Sequence, residues 1–224
     1  MYEAEKFSAV EDNFIHIHGA LLHDLEGILE AGSRGFQDFF PRFARILEAH
    51  TLLEDQLFFP ALEAREPGAS RITDAAHQEI EGHLARLVGW VDAPDAPDFA
   101  AVAEKLECFR RELEIHLLDE RRVVMPAMME NFSAEELWAL DGRIMEFCSP
   151  EFMQEMMPWW FVHMELDGRV AVASNMIAGV DPGFVPVLAG WIAEGLDPDA
   201  WHQLTDRVSA LEPFSPAVAV QAGV

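Results

Sequence analysis

The chain has 224 residues, half of them hydrophobic, and a formal net charge of -25. That length is enough for one large or two small domains with a sizeable core, and the charge argues against a nucleic acid or an anionic membrane as partner, because a phosphate-binding surface needs Lys and Arg concentrated on one face. Cys108 and Cys148 are the two cysteines, without a CxxC; they are expected to be buried thiols in a reducing compartment rather than a disulfide.

The N-terminal Met-Tyr-Glu-Ala-Glu-Lys is acidic and has no apolar leader core, and the long apolar runs are interrupted by Pro, His or Glu before they could span a bilayer. A soluble cytoplasmic protein is expected. Helical periodicity then marks four stretches, approximately Ser8 to Ala31, Phe39 to Arg65, Ser70 to Val91 and Asp98 to Glu130. Breaker-rich turns separate them: Gly32-Ser-Arg-Gly35, Glu66-Pro-Gly-Ala-Ser70 and Ala93-Pro-Asp-Ala-Pro97. Short links between long helices make antiparallel neighbours, so the pattern predicts an up-down-up-down four-helix bundle over residues 1–131.

Beyond Asn131, Ser133 with Glu136 reads as a capping box, and Ser149-Pro150, Asp181-Pro182 and Asp197-Pro198 each put a capping side chain before a proline suited to a first helical turn. Four or five shorter helices are predicted as far as Leu211, followed by an irregular Pro/Ala/Val-rich tail. Nothing alternates as a β-strand would, so the fold class is all-α, with residues 132–224 a smaller helical region. Its apolar Met156–Phe161 and Val185–Ile192 runs need burial over the bundle, as a cap, or in a homodimer.

One segment recurs. His50-Thr-Leu-Leu-Glu54, completed by Pro60, returns as His116-Leu-Leu-Asp-Glu120 with Pro126, an HxxxExxxxxP repeat. Residues four apart share a helix face, so each copy presents an imidazole and a carboxylate toward one point.

Nine histidines are present, and the helical wheel selects among them. With Phe7 at zero and about 100° per residue, Phe14, Leu21, Leu25, Ile28 and Leu29 form an arc with His18 in its middle, while His16 and His23 fall opposite with Asp12 and Glu30. His77 lies among Ile80, Leu84, Leu87 and Val88, whereas His83 sits at the flank. Phe36, Phe39, Phe43, Ile46, Leu47, Leu53, Leu57 and Ala61 share the face of His50 and Glu54. Phe109, Leu113, Val123 and Ala127 flank His116 and Glu120.

A single histidine on an apolar face is more often a hydrogen-bonded core residue than a ligand. Glutamate is different: an unpaired ionised carboxylate in such a core costs several kcal/mol, and these inward faces offer little Lys or Arg. A metal supplies the missing cation. Glu81, one turn after His77, reads either as a further ligand or as a boundary residue reaching solvent. Glu112 borders the inward arc before His116, but a salt bridge to a neighbouring helix accounts for it. His163 and His202 lie far apart along the chain and read as ordinary polar residues.

Mixed imidazole and carboxylate donors suit iron, manganese or zinc better than calcium or magnesium, and two opposed glutamates can each bridge two ions. Ferritin-like bundles carry Glu-x-x-His on two helices and a lone Glu on the others, a pattern absent here. The arrangement His18, His50-xxx-Glu54, His77, His116-xxx-Glu120, together with His18-Gly-Ala-Leu-Leu-His-Asp24 and the prolines at 60 and 126, instead resembles the hemerythrin-like, or HHE cation-binding, domain over about residues 8 to 131.

That resemblance implies two iron ions with an oxo or hydroxo bridge, held by the four histidines as terminal ligands and bridged by Glu54 and Glu120. It implies binding of a small diatomic ligand or peroxide, namely oxygen, peroxide or nitric oxide, for sensing, storage or scavenging. Oxygen carriers of the family have a further histidine in an HxxxH pair on the third helix, where this chain has Glu81. Simple reversible oxygen carriage is therefore not the expectation. Two other readings stand beside it: a di-iron oxidoreductase of peroxidase or catalase type, and an iron-handling or structural metal module.

Overall fold

The computed structural model describes residues 2–91, 93 and 96–214. All regular structure among them is helical. The turn expected at Ala93–Pro97 and the tail expected after Leu211 lie in part outside the described residues. The chain divides into two compact units, Met1–Phe147 and Cys148–Val224.

In the first unit the expected long helices are α1 (Tyr2–Glu11) running on into α2 (Ile17–Glu30), α4 (Phe40–Leu53) into α5 (Phe59–Glu63), the unbroken α6 (Arg71–Val91), and α7 (Phe99–Asp119) into α8 (Met125–Asn131). The turn predicted at Gly32–Gly35 is instead a short helix, α3 (Gly32–Asp38). Gly32 makes the break before it possible: its φ of 71° is in the left-handed region, where a side chain is strained. α2 packs against α4 and α7, and α6 packs against the same two.

Three of the long helices contain a single wide π turn, at Asp12–His16, Glu54–Phe58 and Glu120–Val124. In the last two, the N–H groups of Phe59 and Met125 reach back five residues to the carbonyls of Glu54 and Glu120. Pro60 and Pro126 follow immediately. A proline has no N–H for the carbonyl four residues earlier and its ring crowds that carbonyl; a wide turn just before it relieves the crowding while keeping the helix continuous.

The extra residue in each wide turn shifts the buried face by one position, and several expectations move with it. Val10, not Phe7, joins Phe14 in the buried cluster; Leu62 replaces Ala61 as the fully buried position; Val124 is 0% exposed where Val123, the expected core residue, is 43% exposed. Asp12, expected in solvent, is buried, and His16 is half-buried beside Glu11. Phe39, expected inside, is exposed at the break between α3 and α4, with Arg42 over its ring.

The boundary expected after Asn131 differs from the division seen in packing. Helix α9 (Ala134–Asp141), opened by the Ser133/Glu136 capping box, packs on α1 and α8. Phe132 and Leu137 enter the same apolar cluster as Val10, Phe14, Phe58, Phe59, Val124 and Met128. Asp141 reinforces the join by accepting from the Asn13 amide at 3.0 Å.

In the second unit the helices are α10 (Pro150–Val162), α11 (Leu166–Gly179), α12 (Val185–Gly195) and α13 (Pro198–Arg207). Ser149 and Asp197 cap α10 and α13 as expected. Asp181 does not cap a helix; its carboxylate accepts from Gly183 N–H in a turn, and α12 starts at Val185. Arg169 donates to the carbonyls of Phe161 and Val162, satisfying the orphan C-terminal groups of α10. Gly195 allows α12 to lie directly on α10: a Cβ there would be 2.1 Å from the carbonyl oxygen of Pro158.

Candidate metal centre

The centre is built midway along the helices of the first unit. On α2, His18 follows Phe14 by one turn and precedes Leu21 and Leu25; on α4, His50 follows Phe43, Ile46 and Leu47. On one side lie the packed rings of Phe36, Phe40, Phe43 and Phe109, and on the other the apolar cluster around Phe14, Phe58 and Val124. Water is excluded at both ends by ordinary core packing.

His50 and Glu54 stand four residues apart, with His50 in the last turn of α4 and Glu54 at the first residue of the wide turn; His116 and Glu120 repeat this at the end of α7. His18 comes from α2 and His77 from α6. Each reaches the same small volume. His50 Nε2 lies 3.4 Å from Glu54 Oε1, His116 Nε2 3.0 Å from Glu120 Oε1, and His18 Nε2 3.5 Å from Glu120 Oε2. His77 Nε2 is 3.4 Å from Glu54 Oε2 and 3.3 Å from Glu120 Oε1.

These side chains form two overlapping groups, His18/His50/Glu54/Glu120 and Glu54/His77/His116/Glu120, each with donor atoms within 4.8 Å of one another. The two carboxylates belong to both. Glu54 is 1% and Glu120 0% exposed, and among the described residues their ion-pair contacts are all with imidazoles. Both oxygens of Glu54 and Oε2 of Glu120 are buried without a good hydrogen bond. Buried carboxylate oxygens left in this state lack the partner that burial demands. Imidazoles with carboxylates are a donor set suited to iron, manganese or zinc, so the residues fit such a cation.

The electrostatics follow from burial. Desolvation holds His18 down to about 4 and His50 well below its ordinary value, so both stay neutral. Desolvation, reinforced by the nearby Glu120 charge, raises Glu54 well above the carboxylate range. Burial would raise Glu120 too, but hydrogen bonds from His116 and His77 outweigh it and hold the carboxyl well below the ordinary value. Burial likewise pulls His77 down, and its hydrogen bonds to Glu120 and Asp55, with the Glu54 carboxylate close by, overcome that, pushing it up to about 11. Without metal the cluster thus holds a proton on His77 and disfavours the charge on Glu54, positions where a cation would compete.

Glu81 does not join the cluster; it is exposed and belongs to neither group. On the uninterrupted helix α6 the buried residues Thr73, Ile80, Leu84 and Leu87 lie mostly to one side of His77, while Glu81 is about 40° to the other. Val88, expected inside, is exposed for the same reason. Glu112 pairs with His83 on α6, 2.5 Å away. Asp55 was not singled out from the sequence, yet its carboxylate accepts from His77 Nδ1 at 2.8 Å. The signal available was its place beside Glu54, but a straight helical wheel aims it outward.

No helix among the described residues is long and apolar enough to cross a membrane. No curated protein and no solved structure matches the chain. The family model described as the hemerythrin HHE cation binding domain matches residues 10–128, covering α2 to α7 in full.

Proposed function

The chain belongs to the hemerythrin HHE cation-binding family, and we propose from this that its first unit is an up-down-up-down bundle holding a dinuclear iron centre. In this reading His18 and His50 would hold one ion and His77 and His116 the other, with the carboxylates of Glu54 and Glu120 shared by both positions. The observation that carries this reading is that the two most buried carboxylates are shared by both histidine groups. A carboxylate with two oxygens facing two sets of imidazoles has the valence of a bridge.

A bound iron pair would supply electrons and free coordination positions for a small ligand. The chain's own residues then do three things. The imidazoles present neutral nitrogens; Glu54 and Glu120 offset the charge of the cations; and the rings at either end keep bulk water out. Two imidazoles and two carboxylate oxygens per ion leave positions unfilled by protein, since Glu81 stands away. Oxygen, peroxide or nitric oxide is the ligand class this suits, for sensing, storage or scavenging.

Metal analysis of aerobically purified protein tests the reading. About two iron ions per chain and near-ultraviolet charge-transfer bands that change when reduced protein meets oxygen, peroxide or nitric oxide are expected. Sustained turnover of peroxide would move the assignment to an oxidoreductase. Stoichiometric zinc with no such bands, or iron that responds to none of the three ligands, would replace it with a structural or iron-handling role.

A further inference from the structure

Glu54 and Asp55 are consecutive, and both carboxylates contact the same imidazole. Glu54 Oε2 is 3.4 Å from His77 Nε2 inside the cluster, while Asp55, its side chain 40% exposed, accepts from Nδ1 on the other edge of the ring at 2.8 Å. Phe59 stacks on the ring face, centroids 5.4 Å apart and planes 24° from parallel. Asp55 lies inside the wide turn that begins at Glu54 and Phe59 directly follows it, so the turn holding a candidate bridge also orients this histidine. His116 and His18 lack such an arrangement: among the described residues no carboxylate accepts from their buried Nδ1 atoms.

We propose that Asp55 is a positioning residue that makes the two metal positions unequal, so that the His77/His116 position takes its cation first and holds it more tightly than the His18/His50 position. The proposal rests on the dinuclear reading above. A carboxylate that accepts from the far N–H of a ligating imidazole fixes the tautomer with its lone pair toward the metal, fixes the ring's orientation and raises its basicity; loss of such a partner weakens metal binding by roughly ten- to a hundredfold. Asp55 also adds a negative charge on one side of the centre only. The His18/His50 position has neither advantage from the paired His18 ring.

The test titrates metal-free full-length protein with ferrous iron under anaerobic conditions, following uptake by calorimetry and recording Mössbauer spectra at one equivalent of iron. Wild-type protein is expected to bind in two steps at least about tenfold apart, with one dominant quadrupole doublet at one equivalent. Asp55→Ala is expected to weaken the tight step by roughly ten- to a hundredfold, leave the weak step unchanged and spread one equivalent over two doublets. Asp55→Asn, which keeps an acceptor of the same shape without the charge, should recover part of the tight step, and it carries the test alone if Asp55→Ala does not fold. Two equal steps in the wild type, or variants that weaken both steps alike, would overturn the proposal. Wild-type protein that binds a single iron, or none, would instead overturn the dinuclear reading on which it rests.

Discussion

The Nε2 atoms of His18 and His50 stand 3.1 Å apart across the interior, one from α2 and the other from α4. Two imidazoles this close, both buried, avoid carrying two charges, and desolvation holds both in the neutral form. A neutral nitrogen is a ligand and a protonated one is not.

Acid should therefore empty the centre. In the unfolded chain a histidine titrates near 6.5, whereas folded His18 does so at about 4. Between those values the unfolded state binds the additional proton, so folding stability falls as pH falls through that window. The melting temperature of metal-free protein should fall across this range, while bound iron measured after desalting should be lost only as the pH approaches 4, where folded His18 gains its own proton. Full occupancy persisting below pH 4 would contradict the assignment of His18.

Metal uptake near neutral pH should release protons. His77 is pushed up to about 11 and so carries a proton in the metal-free cluster, and desolvation shifts Glu54 toward its protonated form. A cation displaces such protons. Adding ferrous iron to metal-free protein in weak buffer should acidify the solution, and uptake without proton release would show that the carboxylates were already ionised.

Glu54→Gln separates metal binding from folding. The amide keeps the shape of a protonated Glu54 and removes the cost of an ionised one, so metal-free protein should melt no lower than the wild type. The same variant should lose at least one bound ion and most of the rise in melting temperature on metal loading. Retention of both ions at wild-type affinity would rule out bridging by Glu54.

Adjacent valines should behave oppositely. Val124→Ala removes fully buried methyl groups and should cost on the order of 1–3 kcal/mol, whereas Val123→Ala should stay within about 0.5 kcal/mol, both read from denaturant unfolding of the same preparation. A straight α-helix after Glu120 would have reversed the order expected from the apolar wheel. Equal losses at the two positions would argue against the wide turn.

In the second unit, Gly195→Ala should be costly despite the small change. The new methyl would meet the Pro158 carbonyl at 2.1 Å, so α12 must lift away from α10, at a cost of about 1–3 kcal/mol or more. A variant that melts at the wild-type temperature would mean the two helices are not in contact there.

The sequence by itself determined the helical class, the extents of the long helices to within one or two residues except the start of the first, which lies at Tyr2 rather than Ser8, and the convergence of His18, His50, Glu54, His77, His116 and Glu120. Each of those conclusions follows from a local period: residues four apart share a face, and an apolar stripe marks which face is inside. The caps at Ser133, Ser149 and Asp197 were legible for a similar reason, since a cap is a contact between near neighbours in the chain.

Tertiary structure decided what a fixed period cannot carry. A wide turn adds one residue to one turn of helix, so every position beyond it changes register; Val123 and Val124, Ala61 and Leu62, Phe7 and Val10 exchange roles for that reason. Glu81 left the site because the inner face of α6 is set by its neighbours α4 and α7, not by its own stripe alone. Phe132 and Leu137 joined the first unit through a long-range contact with α1, and Asp55 met His77 across two helices. No spacing along the chain encodes a distance between helices; packing does.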